Sequence, residues 1–152
     1  MRPPLQDSTG ALERAVYAVL SVSTLRAGDG GAAAGVFDDP PKVTDWPHVQ
    51  IIASTMTDVS NKAVTMQEAT VTLRCGSLYA GGRELSALVS AVLVRMGEPA
   101  ADALRAELAP EGFHLVWHRL DLVERYRDQA PGGQPERYAA IRFRFHVQQP
   151  AA

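Results

Sequence analysis

The stretch 81–96, GGRELSALVSAVLVRM, constrains the fold more than any other part of the chain. Its apolar residues Leu85, Leu88, Val89, Val92, Leu93 and Met96 recur at i, i+3, i+4, i+7, i+8 and i+11, which lays one continuous stripe along an α-helix. Gly81 and Gly82 break the chain before the helix, and Gly97 followed by Pro99 stops it. A helix with one apolar face needs a sheet to cover, and the candidate strands lie on both sides of it in sequence.

Before it, residues 1–6 read as an extended lead-in, since Pro3 and Pro4 remove two backbone donors. Asp7, Ser8 and Thr9 then offer caps for a helix over 10–25, with Leu12, Ala15, Val16, Val19 and Leu20 as its stripe. Residues 27–35, AGDGGAAAG, read as a flexible connector, and Val36-Phe37 as a short strand closed by a turn. A strand over 48–53 follows, with Val49 and Ile51 on one face, then a polar, turn-rich 54–62. In 65–75, Val71, Leu73 and Cys75 point one way and Thr70, Thr72 and Arg74 the other. Beyond the central helix, 100–108 forms a short helix burying Leu104 and Leu108, ended by Pro110 and Gly112. Residues 113–123 are strand-like with apolar groups on both faces, which a bulge near His118 or Arg119 reconciles. A turn over 128–136 leads to the clearest alternation, 138–147: Ile141, Phe143, Phe145 and Val147 inward, Arg142, Arg144 and His146 outward. The predicted class is α+β in one domain over 1–152. It consists of an antiparallel sheet with a long C-terminal hairpin, covered on one face by two amphipathic helices plus a short third helix.

Composition narrows the function. A net charge of -2 argues against a protein whose whole surface grips nucleic acid, though a local basic face stays open. The single Cys75 excludes an intrachain disulfide and a cysteine-based zinc site. No apolar run approaches the roughly 20 residues of a membrane-spanning helix. The run 15–25 followed by Ala32-Ala33-Ala34 imitates a secretory signal, but Asp7 and Glu13 put acid where a signal wants positive charge. His114 and His118, four residues apart on a strand, stand about 13 Å apart, too far to share an ion. With no nucleophile elbow and no phosphate loop, no catalytic, cofactor or metal residue is expected.

Two sets of residues remain as contact candidates. Trp46 and Tyr79 fit either interface anchors or core packing, and Arg125, Arg127, Pro131, Gly132 and Gly133 belong to the hairpin and its tip. The row Arg142, Arg144 and His146, with Arg137 nearby, fits DNA phosphates, an acidic partner, or a solvated face balanced by neighbouring carboxylates.

Set in order, the elements resemble the phage tail-completion family, also called tail terminators and formerly a domain of unknown function. The resemblance rests on the first helix, on VFDDPP and WPHVQII (36–41 and 46–52), on TVTLRC (70–75) and the glycine pair before the central helix. It ends on the long hairpin returning into AIRFRFHV, 140–147. The connector 27–35 and the extended hairpin tip depart from the family pattern. The resemblance implies a structural, non-enzymatic role in long-tailed phages, prophages or gene transfer agents. The implied assembly is a homo-oligomeric ring, generally a hexamer, that caps the tail tube and meets the tube protein and the head-completion, stopper or adaptor proteins. Double-stranded DNA would pass through it without sequence specificity. It further implies assembly in the bacterial cytoplasm, no membrane, and a place at the head-tail junction. Two rivals stay open: a small nucleic-acid-binding module using the Arg142 and Arg144 row, and a small ligand-binding domain or enzyme with a polar pocket.

Overall fold

The computed structural model describes residues 2–28, 30–38, 46–79, 81–129 and 135–150. Its elements run α1 (Thr9–Leu20), β1 (Leu25–Arg26), β2 (Ala33–Phe37), β3 (His48–Asp58), β4 (Thr65–Ser77), α2 (Arg83–Arg95), α3 (Ala101–Leu108), β5 (His114–Gln129) and β6 (Pro135–Gln149). The strands form one sheet of order β1-β2-β3-β4-β6-β5. The class is α+β, as the periodicities predict.

The central helix stripe is buried at Leu85, Leu88, Val89, Val92 and Met96, with Leu93 packed at its margin. It meets the inward residues of the middle strands, Ala69, Val71, Leu73 and Cys75 of β4 and Ala139, Ile141, Phe143, Phe145 and Val147 of β6, in one cluster. Leu12, Ala15, Val16, Val19 and Leu20 of α1 and Leu104 and Leu108 of α3 join it. Burial pushes the Cys75 thiol up to about 12, so this side chain is a packing group and not a nucleophile.

Four local expectations give way to tertiary structure. Helix α1 ends at Leu20 and not at residue 25, because Ser21, Val22, Ser23 and Thr24 are all weak helix formers. Arg95 closes that end from outside, its Nη1 donating to Leu20 O at 2.8 Å and Ser23 O at 2.7 Å. Leu25 then turns into the core and Arg26 with it starts β1, which pairs with Ala33 and Ala34, so the last third of the supposed 27–35 connector is strand. Next, β2 runs parallel to β3 in a sheet expected to be wholly antiparallel. Third, β3 continues to Asp58 through residues too polar to look like a strand, held by its ladder to 67–71 of β4 beyond a bulge at Ile52. Last, β5 has two bulges, at Val116 and at Asp121, in place of one near His118. Each skips a residue, so Leu115, His118, Leu120, Val123 and Arg125 all fall opposite the buried row of β6. Strand β5 accordingly reaches Gln129, and most of the turn expected over 128–136 lies outside the described residues.

The lead-in is bound to the sheet by two buried glutamines. Gln67 Nε2 donates to Gln6 O at 2.7 Å, and its Oε1 accepts from the Ser8 backbone at 3.3 Å and from the Ser8 hydroxyl. Gln149 Nε2 donates to Pro4 O at 3.0 Å and its Oε1 accepts from Gln6 N at 2.8 Å. Asp7 accepts from the Thr9 backbone and hydroxyl, which starts α1.

Replacing Gln67 by Ala leaves the Gln6 carbonyl and the Ser8 amide without their partner, at a cost of about 1–3 kcal/mol. Thermal unfolding followed by circular dichroism should show Tm lowered by several degrees; an unchanged Tm would mean that the lead-in is not bound as described. Leu88→Asp, at a fully buried position, should abolish cooperative unfolding altogether.

Candidate functional site

Strand β5 lies at the end of the sheet, bonded along one side to β6 and with its other side facing no strand among the described residues. Three side chains tie it to the helices. Arg105 Nε donates to Leu115 O at 3.0 Å, His118 Nε2 lies 2.9 Å from Met96 O, and Arg125 donates to Ser86 Oγ at 2.7 Å and Gly82 O at 3.2 Å. His118 is therefore held against the end of α2, not solvated. Between these ties a groove of about 580 Å³ opens, with Leu93, Met96, Val116, Leu120 and Phe143 among its walls. Leu120 and Leu122 are 44% and 42% exposed, a large apolar exposure for one edge strand. Past the Asp121 bulge, 122–129 pairs with β6 without interruption, and its other edge is unpaired among the described residues.

The cationic row on the other face of β6 has carboxylate partners. Arg142 Nε bonds Asp121 Oδ2 at 2.6 Å; Arg144 bonds Asp121 Oδ1 at 3.1 Å and also Glu68. Asp121, the residue after Leu120, lies on the outward face of β5, beside both arginines, and its side chain is only 17% exposed. Hydrogen bonds from Arg142 and then Arg144 hold its carboxyl below the ordinary carboxylate range. His146 packs against Trp117, ring centroids 5.2 Å apart, and Arg119 sits over the same indole at 4.8 Å. Arg137 does not join this row. It lies one strand residue out of phase, on the helix side, where it lines a cleft with Gly82, Leu85, Arg125, Tyr126 and Arg127.

Trp46 is half-buried in an aromatic group, 4.4 Å from His48 and 5.8 Å from Tyr138, which stacks on Tyr126 at 5.4 Å. Arg74 lies over the Tyr138 ring at 5.0 Å. Gly76 makes the space: a Cβ there would come within 2.7 Å of the Trp46 ring. Burial and then the bond to Glu136 raise the Tyr138 hydroxyl above the ordinary phenol range, so it stays a donor. Tyr79 is 53% exposed, and its amide donates to Ser77 Oγ at 3.1 Å. Pro131, Gly132 and Gly133 lie outside the described residues. Sequence reasoning missed Asp121 and Glu68, whose role depends on a bulge and a register; an acid amid a strand of basic neighbours was the available signal.

The comparisons with known proteins fit this arrangement. The model of the family "Tail completion protein gp17" matches residues 11–115, from α1 into β5, and the chain belongs to that family. It is a structural component of a phage tail. A chain from the virion of a native gene transfer agent (GTA) particle shares its fold, with a TM-score of 0.69 at 18% identity over 95% of this chain and 99% of that one. No curated protein matches the sequence.

The Asp121 carboxylate has a lowered folded pKa, so its contribution is complete at neutral pH and is lost as pH falls through that value. Asp121→Asn should lower Tm at pH 7, with the gap to the parent chain closing as pH drops below about 3.9. A gap that is independent of pH would show that the carboxylate charge contributes nothing.

Proposed function

We propose that this protein is the tail terminator of a long-tailed phage, or of a related particle such as a gene transfer agent. Copies close into a ring, generally of six subunits, on the end of the tail tube. The ring stops tube polymerisation and presents a surface to the head-completion, stopper or adaptor protein, with double-stranded DNA passing through its centre. It is assembled in the bacterial cytoplasm and resides at the head-tail junction. The role is mechanical, with no reaction performed.

The observation that carries this reading is the open edge of β5, long, partly apolar and rooted in two helices, in a member of the tail-completion family. A surface of that kind suits contact between copies; contacts that close after a full rotation make a ring, and those that do not make a filament. In this reading β5 and β6 are one hairpin, the helices α1 and α2 roof one face of the sheet with α3 beside them, and the hairpin edge or tip reaches the neighbouring subunit. The nucleic-acid-binding alternative loses ground, because Arg142 and Arg144 already have carboxylate partners and Arg137 faces the other way.

Deleting 131–135 tests the role. The shortened chain should keep a cooperative fold, while particles made with it show tails of uncontrolled length that fail to join heads in electron micrographs. Normal tail length and normal joining would contradict the proposal.

A further inference from the structure

Three guanidinium groups converge where β5 and β6 pass the start of α2. Arg127 stands directly across from Arg137, Arg125 lies two residues along, and the cleft they line holds about 310 Å³. The strand alternation concentrates charge here: Glu124, between Val123 and Arg125, falls on the opposite face. The Arg125 side chain bonds only neutral oxygens, those of Ser86 and Gly82, and the side chains of Arg127 and Arg137 have no hydrogen-bond or ion-pair partner among the described residues. Arg137 Nε is buried and unpaired. Arg74 Nε and Arg144 Nε are also unpaired, but those guanidiniums are engaged through their terminal nitrogens, Arg74 to Gln50 and Arg144 to Glu68 and Asp121. The cluster is thus a cationic site whose charge no carboxylate among the described residues answers.

The opposite imbalance sits at the other end of α2. Glu98 and Asp102 are exposed just past it, the Asp102 side chain 99% so. Glu98 has no described side-chain partner, and the exposed Asp102 has only the long contact of Arg105 Nη1 at 3.5 Å, from a guanidinium that also donates to the Leu115 and Val116 carbonyls. Thirteen helical residues separate the two ends, about 20 Å at 1.5 Å per residue. That is twice the screening length of about 10 Å at 0.1 M salt, so neither end neutralises the other within one molecule.

We infer that the Arg125, Arg127 and Arg137 cleft receives the Glu98 and Asp102 carboxylates of a second copy of this chain. The inference rests on the ring reading and specifies which surfaces meet. Planar guanidiniums side by side suit carboxylates, which they bind in bidentate fashion. The contact joins two different patches, so it is head-to-tail, the geometry that a ring requires and a two-fold dimer does not. Phosphate is the less fitting occupant, since a DNA track needs successive cations along a surface and the neighbouring row on β6 is already neutralised.

The test uses two full-length variants, Arg127→Glu with Arg137→Glu, and Glu98→Arg with Asp102→Arg. Arg125 is kept, because it fastens β5 to α2. Analytical ultracentrifugation and electron microscopy should find each variant monomeric with a melting temperature near that of the parent chain, whereas an equimolar mixture of the two regains rings. If a reversal variant unfolds, Arg127→Ala with Arg137→Ala replaces it, and its rings should dissociate at lower salt than those of the parent. Rings that survive reversal, a mixture that stays monomeric, or arginine variants that lose only affinity for a DNA duplex would each overturn the inference while the ring reading stands. A parent chain that forms no ring, free or on tails, would remove both.

Discussion

Strand β6 is the member on which the rest of the molecule depends. Its inward residues, Ala139, Ile141, Phe143, Phe145 and Val147, are all shut away from water, and each large one contributes about 1.5–3 kcal/mol by burial. It bonds to β4 along one side and to β5 along the other, so the register of both neighbours is set against it. A slip of one residue would turn Phe143 and Phe145 to solvent and drive Arg142 and Arg144 under the helices, which fixes the pairing uniquely.

That same alternation sorts the charges. Facing away from the core, Arg142 and Arg144 meet Asp121 and Glu68 and become part of a closed polar network. On the core side, at the margin of the apolar cluster, Arg125, Arg127 and Arg137 gather at the start of α2 with no carboxylate among the described residues that line their cleft. The two bulges of β5 serve both outcomes. The one at Val116 sets the phase that puts Asp121 on the face of the two arginines, and the one at Asp121 brings Val123 and Arg125 back to the core side. The family membership makes this small α+β unit a tail component, and the edge of β5 is the surface that the proposed ring uses.

Periodicity made the central features legible from sequence alone. The stripe in α2, the stripe in α1 and the alternations in β4 and β6 are spaced by the geometry of their own backbones, and the buried residues are those the spacing selects. What stayed hidden is set by distant partners. The polar end of β3 is a strand only because β4 pairs with it, and Gln67 and Gln149 are buried only because the lead-in folds across them. The phase of β5 after Leu115 depends on two bulges that its mixed apolar pattern did not locate. Arg137 was grouped with Arg142 and Arg144 by proximity in sequence, and an odd separation along the strand placed it on the other face. The ion pairs of Asp121 needed both the bulge and the register, so the row looked more basic than it is.

A cryo-electron microscopy map of the head-proximal end of the tail, at a resolution that separates strands, tests the central claim most directly. The account predicts a closed ring of this chain on the last layer of the tube, with β5 of each copy in contact with the next. A map in which the chain is absent from that position, or in which every β5 edge faces solvent, would contradict it.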